Sequence, residues 1–286
     1  MSTRNRLITT FLLLLLSIST FAQIRRIKYG GYDDPHLAII PLDISKFSTL
    51  DTAFIKITYR VTDTLISNKE SDITVLLIGH NVSKYYSESI HQKDSLYTAQ
   101  NFKPLLVSAP VAPGYEVFKF LSSMKILVTN RLPYTNQIVS YEDVLSDLKW
   151  KLLPEKSDIL GYSCQKAVTT FRGRNYLAWF TTELPNMNGP WKLGGLPGLI
   201  LFAEDASKQY TFECIGIKEA KEPIVQYQWK MQTTSLTKWK KFEKNLYEHA
   251  GIYLKNNNIY VLKKNENGTT GRTGENWHAP YDPLER

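Results

Sequence analysis

Apolar and polar residues alternate along many strand-length segments of this chain, and this period of two most constrains the fold. Between residues 53 and 61, Ile55, Ile57 and Tyr59 alternate with polar neighbours such as Lys56, which is typical of a half-buried strand. Segments 115–121, 124–129 and 209–217 are also predicted strands, the first two forming a hairpin. Segment 73–78 is apolar on both faces and predicts a central strand, and 149–153 predicts a strand paired with the one that carries Cys164.

A helical period stands out in one segment, residues 235–250. Its apolar residues fall on one arc at 100° per residue, and its lysines lie elsewhere; the arc contains Leu236, Trp239, Phe242, Leu246, Tyr247 and Ala250. Residues 88–114 are polar with three prolines and predict a long surface excursion. The sequence therefore predicts a mainly β fold, a β-rich α+β class: a curved antiparallel sheet or half-barrel with one long helix, residues 235–250, packed on it.

Residues 159–205 carry the most specific pattern. A strand is followed by a turn at Arg172, Gly173 and Arg174, a second strand, a proline-containing loop, and the glycine segment Gly194, Gly195, Leu196, Pro197 and Gly198. The glycine spacing fits neither a phosphate-binding loop nor a dinucleotide fingerprint. An apolar run that includes Leu199 and Ile200 follows at once, so we expect the glycines to serve folding, through positive φ values or close backbone approach.

Several separated motifs of this stretch occur together: GYSCQKA, FRGR followed by Tyr176 and by Ala178 and Trp179, GPWK, and GGLPGLIL. In this order they resemble the GLPGLI family of exported bacterial envelope proteins. The resemblance extends to residues 83–87, 94–95 and 282–285 and implies an exported, β-rich domain without an assigned reaction. Its motif residues are the candidate interaction site: Arg172, Arg174, Trp179, Trp191, Lys192, Gly194, Gly195, Leu196, Pro197, Gly198, Leu199 and Ile200.

The N-terminal segment predicts export. Arg4 and Arg6 precede an apolar run and a small-x-small site, so residues 1–22 read as a signal peptide cleaved between Ala22 and Gln23. Residues 23–286 then form a single domain, soluble in the periplasm or secreted. We expect residues 265–286 to be loose, although Trp277, Tyr281 and Leu284 are poor choices for a free tail and favour docking of the final residues.

Cys164 and Cys214 are the only cysteines, and both point inward on the alternation of their strands. An exported protein permits a disulfide between them. A disulfide also needs Cα atoms within about 7 Å, and two buried free thiols are an equally good interpretation. The spacing of the two cysteines gives no redox motif.

No residue pattern in the sequence indicates catalysis. The five histidines lack metal-ligand spacing, Ser163 lies in no nucleophile elbow, and adjacent acids such as Glu204 and Asp205 point to opposite sides of an extended chain. We therefore predict no catalytic residue, cofactor or metal. The net charge of +8 is spread along the chain, which argues against a nucleic-acid partner.

Three functions remain open at this level. The first is a non-catalytic binding module for an apolar ligand or a lipid. The second is a partner of outer-membrane transport or secretion machinery that uses Trp191, Lys192 and the glycine segment as an interaction surface. The third is an enzyme whose site is assembled from distant residues.

Overall fold

The structure is a computed structural model that describes residues 37–65, 71–103, 114–145, 148–259, 262–264, 270–272 and 274–286. The predicted signal peptide and its cleavage site at Ala22 and Gln23 lie outside these residues. Within them the chain forms fourteen strands and three helices. The strands are β1 Phe47–Asp63, β2 Asp72–Ile78, β3 Val82–Ser87, β4 Tyr115–Phe120, β5 Lys125–Arg131, β6 Ile138–Val144, β7 Lys151–Ile159, β8 Tyr162–Phe171, β9 Arg174–Thr181, β10 Leu199–Asp205, β11 Tyr210–Tyr227, β12 Met231–Ser235, β13 Leu262–Lys264 and β14 Thr270–Arg272. The helices are α1 Glu88–Ala99, α2 Leu236–Glu248 and α3 Ala250–Asn256.

Twelve of these strands form one sheet in the order β12-β6-β5-β4-β3-β2-β1-β11-β10-β9-β8-β7, and β13 pairs with β14. Neighbouring strands of the large sheet are antiparallel, except that β12 runs parallel to β6. The two ends of the sheet do not pair with each other, so the sheet is mixed and open. The predicted mainly β fold is confirmed.

The large sheet is strongly curved. Asp143 lies in β6, the second strand from one edge, and Arg172 directly follows β8, the second strand from the other edge. The guanidinium of Arg172 nevertheless donates to the Asp143 carboxylate at 2.7 Å. This contact requires the two ends of the sheet to curl toward each other, as in a half-barrel.

The curved sheet has an inner core and a smaller outer cluster. In β1, Ile57, Tyr59 and Val61 face the inner core at every second position, as their alternation predicts. The apolar residues of β2 divide between the two sides: Leu76 and Ile78 lie in the inner core, whereas Val75 and Leu77 lie in the outer cluster with Phe118. The prediction of a central strand at 73–78 is confirmed.

The helical segment predicted at 235–250 forms a helix that begins after Ser235, whose hydroxyl accepts a hydrogen bond from the Lys238 amide. It ends at Glu248, because His249 has non-helical φ and ψ of −126° and 40°, and α3 follows directly. Trp239 and Leu246 of α2 pack into the inner core. The single long helix is thus two helices, α2 and α3.

Helix α1 corrects the prediction of a polar surface excursion at 88–114. Only Ile90 and Asp94 of this helix are buried, so its sequence has no apolar stripe that would indicate a helix. Asp94 is held instead by the guanidinium of Arg131, which donates to it at 2.9 Å. The Ser87 hydroxyl caps the first turn by accepting from the Ile90 amide.

The strand predicted at 149–153 is β7, which begins two residues later than predicted and ends six residues later, at Ile159. It pairs with β8, the strand that carries Cys164, as predicted. Pro154 is tolerated there because β7 is an edge strand. In the described part of the chain, no helix is long and apolar enough to cross a membrane.

Candidate binding site

The loop between β9 and β10 comprises residues 182–198, and most of its second part, from Asn188 onward, is buried inside the half-barrel. Trp191, Leu193 and Leu196 are 3%, 0% and 1% exposed and belong to the inner core. Lys192 is also buried, with 2% of its surface exposed. The prediction that Trp191 and Lys192 form an interaction surface is therefore wrong, because neither side chain reaches the surface of the protein.

A buried lysine from β4 anchors this loop. The Lys119 ammonium donates to the Asn188 side-chain oxygen at 2.9 Å and to the carbonyls of Gly189 and Leu193 at 3.0 and 2.7 Å. Desolvation lowers the pKa of Lys119 to about 7. Sequence reasoning missed this residue, although its place two positions after Val117 in an alternating strand put it on the inward face.

Lys192 joins the loop to strand β6 and to Glu285 near the end of the chain. Its ammonium donates to Asp143 at 3.0 Å and to Glu285 at 2.5 Å. Arg172 also pairs with Asp143 and lies 4.0 Å from Glu285. Desolvation opposes ionisation of Asp143, yet the Lys192 ammonium holds the pKa of this carboxyl below its ordinary value.

Arg174 holds residues 279–286, which we call the closing segment. Its guanidinium pairs with Asp205 at 2.9 Å and with Asp282 at 2.8 Å, and it donates to the Pro283 carbonyl at 2.9 Å. Arg174 is 2% exposed, so its predicted place on a surface turn is wrong. The motif FRGR thus ties the closing segment to the sheet.

Further contacts fix the closing segment. The Tyr210 hydroxyl donates to the Asp282 carbonyl at 2.8 Å, and the Tyr176 hydroxyl donates to the Leu284 carbonyl at 3.2 Å. Leu284 is 7% exposed and Trp277 packs partly buried against the inner core. Docking of the final residues is confirmed, and the looseness predicted for 265–286 does not hold for the closing segment.

A cavity of about 140 Å³ lies between the inner face of the sheet, helix α2 and the closing segment. Aliphatic residues such as Val128 and Leu246 form part of its wall. Seven aromatic residues also line it: Tyr115, Tyr141, Trp191, Tyr210, Trp239 and Tyr247, with Tyr281 from the closing segment. Of the motif residues, Trp191 is the one whose side chain lines this cavity.

Two carboxyl groups in the cavity wall have no basic partner in the described part of the chain. Glu243 of α2 is half-buried and accepts a hydrogen bond from the Tyr281 hydroxyl at 3.2 Å, and desolvation raises its pKa to about 7. Asp63, which is 4% exposed, accepts from the Leu65 amide at 3.0 Å and from the Gln209 amide at 3.3 Å. Desolvation raises the pKa of Asp63 as well.

The other motif residues lie away from the cavity. Trp179 is half-buried on the outer face, with its ring 5.9 Å from the Lys166 ammonium. Leu199 and Ile200 begin β10 and are fully buried, and the Ile200 carbonyl accepts from the Tyr59 hydroxyl at 2.7 Å. Pro197 is exposed. A second hollow, of about 580 Å³, lies on the outer side of β8–β10 and includes Val168 and Leu177 in its wall.

The glycines of the motif have the two roles that the sequence predicts. Gly195 has a φ of +83°, and its amide donates to the Met187 carbonyl at 3.0 Å. A Cβ on Gly198 would lie 2.0 Å from the Thr181 carbonyl oxygen, and one on Gly194 would lie 2.9 Å from the Met187 carbonyl oxygen. The glycine segment does not form a tight turn between two strands. It is the last part of the longer loop 182–198.

Cys164 and Cys214 are free, buried thiols. Desolvation raises the pKa of Cys164 to about 11 and that of Cys214 to about 12, so both thiols stay protonated and unreactive near neutral pH. Across the described ranges, no group of three or more His, Cys, Asp or Glu residues is placed to hold a metal ion.

Comparison with known proteins gives two findings. The family model for the N-terminal domain of PNGase F-II, described as "N-glycanase peptide, N-terminal domain", matches residues 112–243. Two solved structures of PNGF-II, in different space groups, match with TM-scores of 0.51 and 0.50 and 18% sequence identity. Each match covers 73% of this chain and 34% of the solved chain, so the protein spans about a third of the length of PNGF-II. No curated protein sequence matches.

The structural likeness, at 18% identity, shows the fold alone. The family model begins just before β4 and ends at Glu243 in α2. It therefore includes the FRGR turn, the loop that carries Trp191 and Lys192, and one of the two unpaired carboxyl groups.

Proposed function

We propose that the protein is a non-catalytic binding module whose ligand occupies the cavity under the closing segment. The observation that carries the proposal is the cavity itself: about 140 Å³, with a wall of aromatic and aliphatic side chains that also contains polar groups. Ligand sites in proteins typically combine apolar walls with a small number of placed polar groups. The described residues of its wall include no serine, threonine or cysteine.

The volume of the cavity favours a small ligand over a lipid. An apolar cavity of roughly 150 Å³ is large enough for benzene, whereas pockets for drug-sized ligands measure about 300–1,000 Å³. The cavity therefore favours a ligand about the size of one ring over the lipid that the sequence left open. The alternative function, as a partner of outer-membrane machinery, has less support. Trp191 and Lys192, the two side chains predicted to form its interaction surface, are buried.

The proposal includes export. It is supported by the basic and apolar N-terminal segment of residues 1–22 and by the resemblance of residues 159–205 to the exported GLPGLI family. In this setting the module would bind its ligand outside the cytoplasm, in the periplasm or after secretion.

A second candidate function comes from the family model. The description of this family names an N-glycanase, and the family model matches residues 112–243. On this basis the chain would be an accessory domain for the recognition of glycans. The aromatic wall of the cavity is compatible with this function, because sugar rings pack their apolar faces against aromatic side chains.

The binding proposal can be tested with a panel of single-ring compounds and N-acetylglucosamine, titrated into the whole protein by calorimetry. We expect at least one ring compound to bind. Val128→Phe should weaken that binding at least about tenfold, because Val128 is 2% exposed and lines the cavity. Val144→Phe is the matched control, since Val144 is 61% exposed and lies outside the cavity wall.

Binding that Val128→Phe leaves unchanged would contradict the proposed site, as would the absence of binding by every compound. Tighter binding of N-acetylglucosamine than of the ring compounds, sensitive to Val128→Phe, would favour the glycan-recognition function.

A further inference from the structure

We infer that the ligand of this cavity is a small organic cation, with an ammonium group no larger than trimethylammonium, held by aromatic rings and by the carboxylates of Glu243 and Asp63. The inference rests on the proposed function, because it assigns a charge to the ligand of the same cavity. It is carried by the balance of charges around the cavity and by the rings in its wall.

The charges next to the cavity are otherwise paired. Arg131 in the wall is neutralised by Asp94 through two hydrogen bonds. Glu285 and Asp143 are matched by Lys192 and Arg172. In the same way, Asp282 and Asp205 are matched by Arg174 and Arg286.

Glu243 and Asp63 remain outside these pairs. Among the described residues, neither carboxyl has a lysine or arginine nitrogen within salt-bridge distance, although Asp63 is 4% exposed. Burial of an ionised carboxylate without a partner costs free energy. A ligand that brings its own positive charge removes this cost, whereas a neutral ligand does not.

The basic side chains near each carboxyl are bound to other groups. Glu243 faces the Tyr281 hydroxyl, the Glu285 carboxylate and the ammonium groups of Lys192 and Lys240. Lys192 is committed to Asp143 and Glu285, and Lys240 donates to the Arg286 carbonyl at 2.5 Å.

Asp63 faces neutral donors, the Gln209 side chain and the Tyr210 hydroxyl, together with the guanidinium of Arg174. That guanidinium is already bound to Asp205 and Asp282. When ionised, each carboxylate therefore has hydrogen-bond donors but no lysine or arginine of its own among the described residues.

Aromatic rings supply the second part of the site. A cation over the face of a tyrosine or tryptophan ring is attracted by the ring quadrupole, and cages of such rings recognise quaternary ammonium groups. Rings of this cavity already accept cations: the Lys192 ammonium lies 4.8 Å from the Tyr141 ring and the Arg174 guanidinium 4.9 Å from the Tyr210 ring. Trp239 and Tyr247 line the same cavity without a cation of this kind from the described residues.

Choline and its neutral carbon isostere 3,3-dimethyl-1-butanol separate charge from shape. We expect calorimetry on the whole protein to show choline binding at least about tenfold more tightly than the alcohol, as desolvated cation–π and charge contacts would give. Glu243→Gln should abolish most of this preference. Glu248→Gln is the control, since Glu248 lies on the same helix, is exposed and pairs with Lys244.

The pH dependence provides an independent readout. Because the pKa of Glu243 is about 7, this carboxyl is protonated below that value and charged above it. Affinity for choline should fall about tenfold from pH 8 to pH 6, following the fraction of ionised carboxylate. Affinity for the alcohol should stay constant over the same range, and choline binding to Glu243→Gln should lose most of its pH dependence.

The outcomes distinguish the two proposals. Equal binding of choline and the alcohol, with both sensitive to Val128→Phe, would overturn the cation inference and leave the binding module intact. Binding of neither these two compounds nor the ring panel would overturn both. Choline binding that is indifferent to Glu243→Gln and to pH would place the cation elsewhere and also overturn the inference.

Discussion

At the scale of single residues, the interior of this protein is organised by buried basic side chains. Lys119 anchors the loop 182–198, Lys192 connects that loop to Asp143 and Glu285, and Arg174 holds the closing segment. Buried charges are tolerated when hydrogen bonds and partners satisfy them. All three residues therefore have structural roles, and the buried motif residues Arg174 and Lys192 stabilise the fold.

Arg174→Ala should lower the free energy of unfolding by about 3–5 kcal/mol, because it leaves Asp205 buried without its cation. A contact residue on the surface, which is the role that the sequence predicts for Arg174, would have little effect on stability. Arg60→Ala is the control: Arg60 and Glu213 form an ion pair with about half of each side chain exposed, and its loss should change the free energy by less than about 1 kcal/mol. Urea unfolding of both variants measures the difference, and similar values for the two would refute a structural role for Arg174.

At the scale of elements, the loop 182–198 behaves as part of the core. The sequence predicted the strand before this loop and, from the apolar run that follows the glycines, the buried segment after it. It did not predict the burial of the loop, because the contacts that bury it come from distant residues such as Lys119, Trp150 and Asp143. Helix α1 escaped prediction for a related reason, since it is fixed by the pairing of Asp94 with Arg131 and not by an apolar stripe.

The glycine segment gives an element-scale prediction. Gly198→Ala should destabilise the protein by about 3 kcal/mol or more, because the new Cβ would meet the Thr181 carbonyl oxygen at 2.0 Å and the backbone would have to shift. Gly195→Ala should cost less, about 1–2 kcal/mol, because its φ of +83° strains the residue but no atom lies within 4 Å of the added Cβ. Thermal and urea unfolding of the pair test this order, and a Gly195 variant that is the less stable of the two would contradict it.

At the scale of the whole molecule, the curved sheet, helix α2 and the closing segment surround the cavity of about 140 Å³. The mainly β class, the helical segment at 235–250 and the docking of the final residues could be predicted from periodicity and composition. The cavity could not, since its wall combines residues from β1, β4, β5, β6, β11, α2 and residues 280–285. Glu243 in particular looks like one more polar residue of an amphipathic helix until Tyr281 and Glu285 are placed beside it.

The central claim is that this cavity under the closing segment is the ligand site. The most direct test is a set of intermolecular nuclear Overhauser effects between the protein and the compound that binds it most tightly in the titrations. The account predicts contacts to the methyl groups of Val128 and Leu246, which line the cavity. Contacts instead to Val168 and Leu177, in the larger hollow on the outer side of the sheet, would contradict it.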